Sequence, residues 1–298
     1  MSITVRAPAK INLHLGVGPG RPDGYHELST VYQAIGLYDD VTATDAPEWT
    51  VTVSGSGELD VSEVPLDDHN IAIRAGRALT DHHGVDRAAA LTIAKSIPVA
   101  GGLAGGSADA AAALVALDRL WDLQTSDADL LAIAGRLGSD VPFALVGGTA
   151  YGTGRGELVE PVVDHGQWWW VVVPNDAGLS TAAVYAEYDR LGLGETLRAP
   201  EGLFGALADA WPEGLSGELH NDLEPASLDL RPELALTKRD ILECGAYAAL
   251  LSGSGPTWLG LAGDADHARE MAAALASTYP VVLCAPGPVA GAHVVTYA

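Results

Sequence analysis

A run of glycines stands where a strand pattern gives way to a helix pattern. Residues 101–107 read Gly-Gly-Leu-Ala-Gly-Gly-Ser, residues 89–95 alternate with the period of a strand, and residues 107–121 form an alanine-rich helical pattern. Such a loop can point successive backbone N–H groups at an anion, with the positive end of the helix behind them. A flexible connection is the ordinary alternative, but four glycines within six residues at this boundary favour a phosphate site.

Lys10 and Asp140 could supply an amine and a carboxylate to such a site. Lys10 is one of three lysines and lies at the junction of predicted strands 2–7 and 11–17. It could reach inward as a cation, or it could be an edge-strand lysine that blocks aggregation. Asp140 precedes a short helix pattern with Pro142 in its first turn, which is typical of an N-cap. A carboxylate kept ionised by nearby donors and a lysine could also act as a base, so both alternatives stay open.

A second glycine-rich loop, residues 251–257, joins two apolar strand-like runs. A simple turn explains it in isolation. If the first loop binds phosphate, the second becomes a candidate wall of the same site. The chain lacks a Lys-Ser/Thr pair after the glycines at 101–106, so it carries no Walker motif there.

The composition narrows the class of protein. The chain has 298 residues and a formal net charge of −23, which makes it a poor binder of nucleic acid or an anionic membrane. Its two cysteines do not form a disulfide framework, and the opening residues follow a strand pattern with no signal peptide. The longest apolar run, residues 168–173, is too short to span a bilayer. We expect a soluble, cytoplasmic protein, either a monomer or a weak homodimer.

The pattern of elements predicts an α+β protein. Besides the segments above, it predicts further strands and helices, and it places a domain boundary near 148–166, giving domains 1–155 and 156–298. The predicted strands are 28–37, 40–45, 49–53, 168–173, 247–251, 257–261, 281–284 and 292–297. One predicted helix begins after an Asn70 cap and stops at Gly84. The other predicted helices cover 127–137, 180–192, 201–210, 231–243 and 264–279.

Taken together, these motifs resemble the GHMP kinases. That family shares an N-terminal strand motif, a central phosphate loop and a C-terminal glycine loop, and this chain has them in order at 7–15, 98–107 and 252–257. The resemblance covers most of the chain. It implies a two-domain fold in which each domain is a mostly antiparallel sheet packed with helices.

Two further segments are similar to one branch of the family. Residues 8–13 followed by 21–28 (Arg-Pro-Asp-Gly-Tyr-His-Glu-Leu) resemble the opening of kinases that phosphorylate a cytidyl diphosphate alcohol in the non-mevalonate isoprenoid pathway. Residues 138–143 resemble their catalytic segment. A homoserine or mevalonate kinase, a nucleotide-binding protein without turnover, and a scaffold remain the alternatives.

The resemblance implies roles for individual residues. Asp140 would take a proton from the substrate's 2-hydroxyl, and Lys10 would keep Asp140 ionised. ATP with Mg²⁺ would be the cofactor, although the resemblance assigns no metal ligands. The implied ATP-binding residues are Pro98, Val99, Ala100, Gly101, Gly102, Leu103, Ala104, Gly105, Gly106 and Ser107. The implied binders of the cytidyl substrate are Asn12, Tyr25, His26, Thr181, Tyr185, Gly253 and Ser254, with the rings of Tyr25 and Tyr185 on either side of the base.

Three positions depart from the usual pattern of the family. Ala104 stands where glycine is common, which is compatible with a phosphate cradle only if this residue avoids a positive φ. Ala108 and Asp109 stand where serine and asparagine are usual. The carboxylate of Asp109 would repel phosphates unless it points away or binds magnesium.

Overall fold

The computed structural model of the chain describes residues 1–57, 59–99, 101–175, 179–194 and 196–297. The described strands are β1 (Ser2–Gly20), β2 (His26–Ala46), β3 (Thr50–Gly55), β4 (Ala88–Lys95), β5 (Thr149–Thr153), β6 (Leu158–Pro161), β7 (Trp168–Val173), β8 (His220–Asn221), β9 (Ala248–Leu251), β10 (Trp258–Ala262), β11 (Leu283–Gly287) and β12 (His293–Tyr297). The described helices are α1 (Ile71–His83), α2 (Gly105–Trp121), α3 (Asp127–Leu137), α4 (Val141–Val146), α5 (Thr181–Arg190), α6 (Glu201–Asp209), α7 (Pro212–Ser216), α8 (Glu224–Leu230), α9 (Leu234–Glu243) and α10 (Ala265–Leu275).

Two long strands form the centre of an eight-stranded sheet. Strands β1 and β2 pair antiparallel along almost their whole length, in the order β12-β1-β2-β4-β3. The prediction of separate strands at 2–7 and 11–17 was wrong, because the pairing continues through register shifts at Pro8/Ala9 and Asn12/His14. Such irregularities bend a strand without ending it. Lys10 therefore lies inside one strand and not at a junction of two.

Helix α2 packs on the buried face of this sheet, against β1 and β2. Its alanines let the helix approach closely, and Ala110, Ala111 and Ala113 are fully buried. Helix α1 packs beside α2. Because α2 is held in this way by the sheet and by α1, the glycine loop that precedes α2 is also fixed in position.

The segment predicted as a domain boundary, 148–166, contains a hairpin of the first sheet. Strand β5 pairs with β2, and β6 pairs with β5. Glycines punctuate this stretch because it turns tightly, with Gly154 and Gly156 at positive φ. Strands β8 and β12 also join the first sheet by pairing with β1. The division into 1–155 and 156–298 stays a prediction.

A second, four-stranded antiparallel sheet has the order β11-β7-β10-β9. Helices α9 and α10 cover it. Trp168 and Trp170 of β7 are buried, and the indole N–H of Trp170 donates to Gln33 Oε1 on β2 at 2.9 Å. The apolar run at 168–173 is thus a core strand. The predicted two-sheet α+β architecture is confirmed.

Local signals predicted several helix ends well. The Asn70 side chain accepts from the N–H of Ala72 at the start of α1, Gly84 ends that helix at a positive φ, and Ser126 caps α3. The expected start of α2 at Ser107 was wrong, because the helix begins two residues earlier, at Gly105. No helix in the described ranges has both the length and the apolar character needed to cross a membrane.

Candidate active site

A cleft of about 1070 Å³ opens beside the N-terminus of α2. Both glycine loops, the middle of β1, the residue before α4 and one face of α5 contribute to its wall. Residues 63–65 and 69–71 form a further part of the wall, which there contains the apolar residues Val64, Pro65 and Ile71 and the polar residues Glu63, His69 and Asn70. The size is sufficient for two elongated ligands of nucleotide dimensions.

The first glycine loop lies against the second. At Gly102, φ is +74°, and a Cβ atom there would lie 2.4 Å from the carbonyl oxygen of Ser252. The Ser252 hydroxyl donates to the carbonyl oxygen of Gly102 at 3.0 Å. This contact requires glycine at 102, since a side chain would separate the loops. The second glycine loop therefore belongs to the same cleft as the first, which is one of the two alternatives that the sequence left open.

Most of the predicted ATP-binding residues line the cleft, in positions consistent with a phosphate cradle. Leu103 is different, since its side chain is fully buried in the core, and Ser107 is not among the lining residues. Ala100 lies outside the described residues. The residues of this set that line the cleft are Pro98, Val99, Gly101, Gly102, Ala104, Gly105 and Gly106.

Ala104 adopts φ = 57° as the residue before α2, in the left-handed region. We expected from the sequence that a phosphate cradle requires this residue to avoid a positive φ. The residue does adopt one, so a cradle at this loop has to hold Ala104 in a strained conformation. The conformation costs a non-glycine residue about 1–2 kcal/mol. The chain therefore holds a strained residue at the entrance of the helix.

Lys10 is buried in β1 and reaches the cleft. Its backbone N–H donates to the carbonyl oxygen of Leu103, and its Nζ donates to Asn12 Oδ1 at 2.7 Å. Asn12 in turn donates to Thr30 Oγ1 at 2.8 Å. With only 8% of the residue exposed, the alternative of an edge-strand lysine is wrong.

Asp140 faces Lys10 from the residue before α4. Its Oδ2 lies 3.7 Å from Lys10 Nζ, and its side chain makes no capping hydrogen bond to the helix. The capping alternative is thus wrong for the side chain, because the carboxylate points to the cleft instead of the helix N–H groups. An amine from β1 and a carboxylate from residue 140 meet beside the glycine loops.

Tyr32 is a cleft residue that the sequence did not indicate. It lies opposite Asn12 across the β1–β2 pair, and its hydroxyl donates to Asp140 Oδ1 at 3.2 Å. Lys10 Nζ lies 5.5 Å from the centre of its ring. Burial raises the pKa of Tyr32, and the charge of Asp140 adds to this effect. The hydroxyl therefore stays protonated and remains a donor.

The second glycine loop lies close to β1 and is hydrogen-bonded to α5. A Cβ atom at Gly253 would lie 3.6 Å from Lys10 Nζ. Asn221 donates its side-chain amide to the carbonyl oxygens of Leu251 and Gly253, at 2.8 and 2.7 Å. Ser254 Oγ lies 2.9 Å from Thr181 Oγ1, so this loop and α5 share a hydrogen bond.

The far end of the cleft is aromatic. Tyr25, His26 and Tyr185 line it, and the rings of His26 and Tyr185 have centroids 5.1 Å apart at an angle of 31°. Tyr25 is half exposed, with the guanidinium of Arg155 4.9 Å from the centre of its ring. Burial raises the pKa of Tyr185, and the charge of Asp140 adds to it. The two tyrosines that the resemblance pairs thus lie at one end of the same cleft.

A buried charge cluster supports the phosphate loop from below. Lys95 Nζ donates to Asp39 Oδ2 at 2.5 Å and to Asp109 Oδ2 at 2.7 Å, while Asp39 Oδ1 accepts the N–H groups of Ser96 and Ile97. Burial raises the pKa of Asp109 to about 8, although the charge of Lys95 opposes this. The repulsion of phosphates expected from Asp109 is offset, because its carboxyl is paired with Lys95.

The described residues contain no cluster of three or more His, Cys, Asp or Glu side chains able to hold a metal by themselves. Asp109 and Asp140 nevertheless line the cleft, and Asp109 Oδ1 is buried without a hydrogen-bond partner. Magnesium in nucleotide sites is usually held by phosphate oxygens and one or two carboxylates. The donor set therefore fits a magnesium ion brought by a nucleotide, and does not form a separate protein cage.

Comparison with known proteins agrees with this geometry. The family described as "GHMP kinases N terminal domain" matches residues 70–148, and "GHMP kinases C terminal" matches residues 204–281. A 4-diphosphocytidyl-2-C-methyl-D-erythritol kinase of Nocardioides sp. is 61% identical over 99% of this chain and 100% of its own length. The enzyme of that name from Salinispora arenicola is 52% identical over 97% and 93%.

A solved structure points the same way. The crystal structure of a 4-(cytidine 5'-diphospho)-2C-methyl-D-erythritol kinase is 31% identical and covers 97% of this chain and 100% of its own, with a TM-score of 0.77. The sequence identity extends over nearly the whole of both chains, and the fold of the solved structure matches. Together with the order of the motifs, these findings support one assignment. The chain belongs to the GHMP kinases, a family of ATP-dependent phosphotransferases, and within them to the 4-diphosphocytidyl-2-C-methyl-D-erythritol kinases.

Proposed function

We propose that this chain transfers the γ-phosphoryl group of ATP to the 2-hydroxyl of 4-diphosphocytidyl-2-C-methyl-D-erythritol, giving the 2-phosphate and ADP. The reaction belongs to the non-mevalonate route to isoprenoid precursors. The observation that carries the proposal is the approach of Lys10 and Asp140 to 3.7 Å beside the two glycine loops. The carboxylate of Asp140 makes no capping hydrogen bond, so it can accept the proton of an alcohol. The amine of Lys10 lies beside the phosphate cradle, where it can stabilise charge during phosphoryl transfer.

Asp140 would act as the general base. It takes the proton of the substrate hydroxyl as that oxygen attacks the γ-phosphorus, and ADP leaves. Lys10, whose Nζ lies 3.7 Å from Asp140 Oδ2, offsets charge on the transferred group. Tyr32, which donates to Asp140 Oδ1, keeps the carboxylate oriented with Oδ2 toward the cleft.

The two ends of the cleft would take the two nucleotides. The phosphates of ATP bind at 101–106, where the N-terminus of α2 adds its positive end. The wall formed by residues 63–65 and 69–71, where Val64, Pro65 and Ile71 offer apolar contact, would take adenosine. The aromatic end with Tyr25, His26 and Tyr185 is suited to a stacked cytosine. We expect the alcohol to bind between these two ends, near Asn12, Thr181, Gly253 and Ser254, which line the cleft.

Magnesium would accompany ATP. Phosphate oxygens with Asp140, or with Asp109 in its ionised form, would hold it, and it would neutralise charge on the phosphates. We further expect a cytoplasmic protein, a monomer or weak homodimer, with no nucleic-acid partner, as the composition suggests.

A coupled assay of ADP release tests the proposal. We expect turnover with ATP, Mg²⁺ and the cytidyl diphosphate alcohol, and none with homoserine or mevalonate in its place. Equal turnover with homoserine or mevalonate would overturn the assignment of substrate.

The Asp140→Asn variant tests the mechanism. Loss of a general base lowers kcat by about 10²- to 10⁴-fold, and we expect a circular dichroism spectrum like that of the wild type. Asp127→Asn, an exposed change in the first turn of α3, is the matched control and should keep full activity. Near-wild-type turnover by the Asp140 variant would exclude the base.

A further inference from the structure

A buried threonine lies behind the residues that hold the Lys10 amine. Thr30 belongs to β2, is fully buried and is not among the residues that line the cleft. Its hydroxyl donates to the carbonyl oxygen of His14 at 2.7 Å and accepts from Asn12 Nδ2 at 2.8 Å. Asn12 Oδ1 accepts from Lys10 Nζ at 2.7 Å. Two paired strands thus share one continuous chain of hydrogen bonds that ends at the amine.

This chain of hydrogen bonds has a fixed direction. The ammonium of Lys10 only donates, and the backbone carbonyl of His14 only accepts. A hydroxyl has a single proton, and Thr30 gives that proton to the carbonyl. Toward Asn12 the hydroxyl can therefore only accept. The amide must then turn its NH2 group to Thr30 and its oxygen to Lys10.

The carbonyl at the end of the chain lies at an irregularity of the β1–β2 pairing. The register of the two strands shifts between Asn12 and His14. At such a shift the ladder of backbone hydrogen bonds is locally disturbed, and the Thr30 hydroxyl supplies a donor there. The shift thereby gives the Thr30 proton a fixed acceptor.

The position of the Lys10 amine depends on the direction of the Asn12 amide. Within the described ranges Asn12 Oδ1 is the only hydrogen-bond acceptor of Nζ, since Asp140 Oδ2 is 3.7 Å away. An amide turned the other way would place its N–H donors against the ammonium, where like partial charges repel. The amine would then lose its acceptor beside the phosphate cradle.

We propose that Thr30 is a positioning residue, which holds the Lys10 amine in place by fixing the direction of the Asn12 amide. The inference rests on the proposed function and deepens it. Thr30 lies behind Asn12 and outside the wall of the cleft, so it would touch neither substrate. Its effect on phosphoryl transfer passes through the hydrogen bonds to Asn12 and Lys10.

Two variants of Thr30 separate the hydroxyl from the shape of the side chain. Thr30→Val removes the hydroxyl and keeps the shape, whereas Thr30→Ser keeps the hydroxyl. A buried amide N–H without its acceptor is costly, so we expect Thr30→Val to lower kcat by at least about fivefold. The KM for ATP should stay nearly unchanged, because the glycine loops are not altered. Thr30→Ser should retain most of the activity.

Thr149→Val is the matched control. Thr149 is also buried, and its hydroxyl also lies between a side-chain amide, that of Gln33, and an oxygen acceptor, that of Asp164. It has no hydrogen bond to Asn12 or Lys10 in the described part of the chain, so kcat should stay at the wild-type level. Should Thr30→Val not fold, Thr30→Cys takes its place with the same expectations, since a thiol is only a weak donor and acceptor.

A spectroscopic readout makes the test independent of turnover. The chain has three lysines, so protein with ¹⁵N-labelled lysine gives few side-chain signals, and Lys10→Arg assigns that of Lys10. In Thr30→Val the Lys10 signal should shift, and its ammonium protons should exchange faster with water. The signal of Lys95, which is buried in its own ion pairs, should not change. Thr30→Ser should give the wild-type signal of Lys10.

An unchanged Lys10 signal in Thr30→Val would overturn the inference. An equal loss of kcat in Thr30→Val and Thr30→Ser, or in Thr30→Val and Thr149→Val, would overturn it as well, because the loss would then not depend on this hydroxyl. If the wild type does not phosphorylate the cytidyl diphosphate alcohol, the proposed function fails instead. The Lys10 signal still decides in that case whether Thr30 holds the amine.

Discussion

Each oxygen of the Asp140 carboxylate faces a different partner. Oδ1 accepts from the Tyr32 hydroxyl on β2, and Oδ2 lies toward Lys10 Nζ on β1. Lys10 in turn is held by Asn12, two residues along the same strand. Since neighbouring side chains on one strand face are separated by two positions, β1 presents the amine and its holder on one side. The geometry of the proposed base therefore depends on two paired strands.

Replacing Tyr32 by phenylalanine tests this orientation. The change keeps the ring, which stacks on Phe143 with centroids 4.9 Å apart, and removes only the donor to Asp140. We expect kcat to fall by about 10- to 150-fold, the value of one hydrogen bond to a charged group, with the KM values for both substrates nearly unchanged. Steady-state kinetics of the purified variant measure this.

Tyr151→Phe is the control for that variant. Tyr151 also has a hydroxyl in a hydrogen bond, to Ser29 at 3.1 Å, but it does not contact Asp140. Its kcat should remain at the wild-type level. A similar loss in both variants would show a general effect of removing tyrosine hydroxyls, and would contradict the specific role of Tyr32.

Ala104→Gly should make the protein more stable. Glycine removes the left-handed penalty of about 1–2 kcal/mol at φ = 57°, and its greater freedom in the unfolded chain returns about 0.5–1 kcal/mol of that gain. We expect the free energy of unfolding to rise by about 0.5–1 kcal/mol in denaturant titration. Ala132→Gly, inside the regular helix α3, is the matched control and should lower it by about 1 kcal/mol. A destabilised Ala104→Gly variant would show that the strain is not real.

From the sequence alone, each of Lys10 and Asp140 had two possible roles. Lys10 could be an inward cation or an edge-strand lysine, and Asp140 could be a base or an N-cap. The decision between a cap and a base at Asp140 depends on where the carboxylate points, which is set by side chains distant in sequence. Tyr32 gave no signal, because a tyrosine in a strand pattern is an ordinary strand residue and its partner is more than a hundred positions away. The sequence showed that Ala104 departs from the usual pattern of the family, but its positive φ is visible only in the folded backbone.

At the level of elements, the buried cluster joins three of them beneath the phosphate loop. Asp39 belongs to β2, Lys95 ends β4, and Asp109 lies in the first turns of α2. One lysine faces two carboxyl groups, so full ionisation would leave a net negative charge in the core. Retaining a proton on Asp109 avoids this cost.

The cluster predicts that stability falls as pH rises. The pKa of Asp109 is raised by burial from the ordinary value of 3.8 to about 8, so between these values the folded state binds more protons than the unfolded chain. The free energy of unfolding then decreases with rising pH, by at most about 1.4 kcal/mol per unit, and levels off above pH 8. Denaturant titrations from pH 5 to pH 9 measure the slope.

Asp109→Asn should remove most of that slope, because an amide does not titrate. Asp81→Asn, an exposed change on α1, should leave the slope as in the wild type. An equal slope in the wild type and the Asp109 variant would assign the pH dependence to other groups.

Element boundaries were predicted best where a local signal sets them. Asn70, Gly84 and Ser126 are such signals, since a cap satisfies the backbone of its own helix. The joined strands β1 and β2 were predicted in pieces, because bulges break the alternation of side chains while the pairing continues. The hairpin β5–β6 was missed, as its frequent glycines resemble a linker.

At the scale of the whole molecule, the charge of −23 opposes the proposed substrates, both of which carry phosphates. Lys10, Lys95 and Arg155 line the cleft, whereas the net charge of the whole chain repels anions. Salt screens that repulsion, with a Debye length that shrinks from about 30 Å at 0.01 M to about 8 Å at 0.15 M. Affinity for ATP should therefore improve with moderate salt.

We expect the KM for ATP to fall by about two- to fivefold between these two ionic strengths, at constant free Mg²⁺. The inhibition constant of uncharged adenosine should stay the same, which controls for effects of salt on the cleft itself. A KM that rises with salt would mean that the local cations dominate the field.

The fold class followed from the order of motifs along the chain, and the pairing of distant strands did not. Nothing local in residues 220–221 or 293–297 indicates that they join the sheet begun by residues 2–20. Those pairings are set by which edges of β1 remain open after β2 has paired. These pairings therefore depend on the tertiary structure and cannot be predicted from the local sequence.

The pairing of β12 with β1 has a consequence for synthesis in the cell. Residues 3–6 are synthesised long before their partners at 293–297. Until those partners have been made, that margin of β1 lacks its neighbour and exposes unpaired backbone groups. Nascent chains stalled before residue 293 should consequently engage chaperones that completed chains do not.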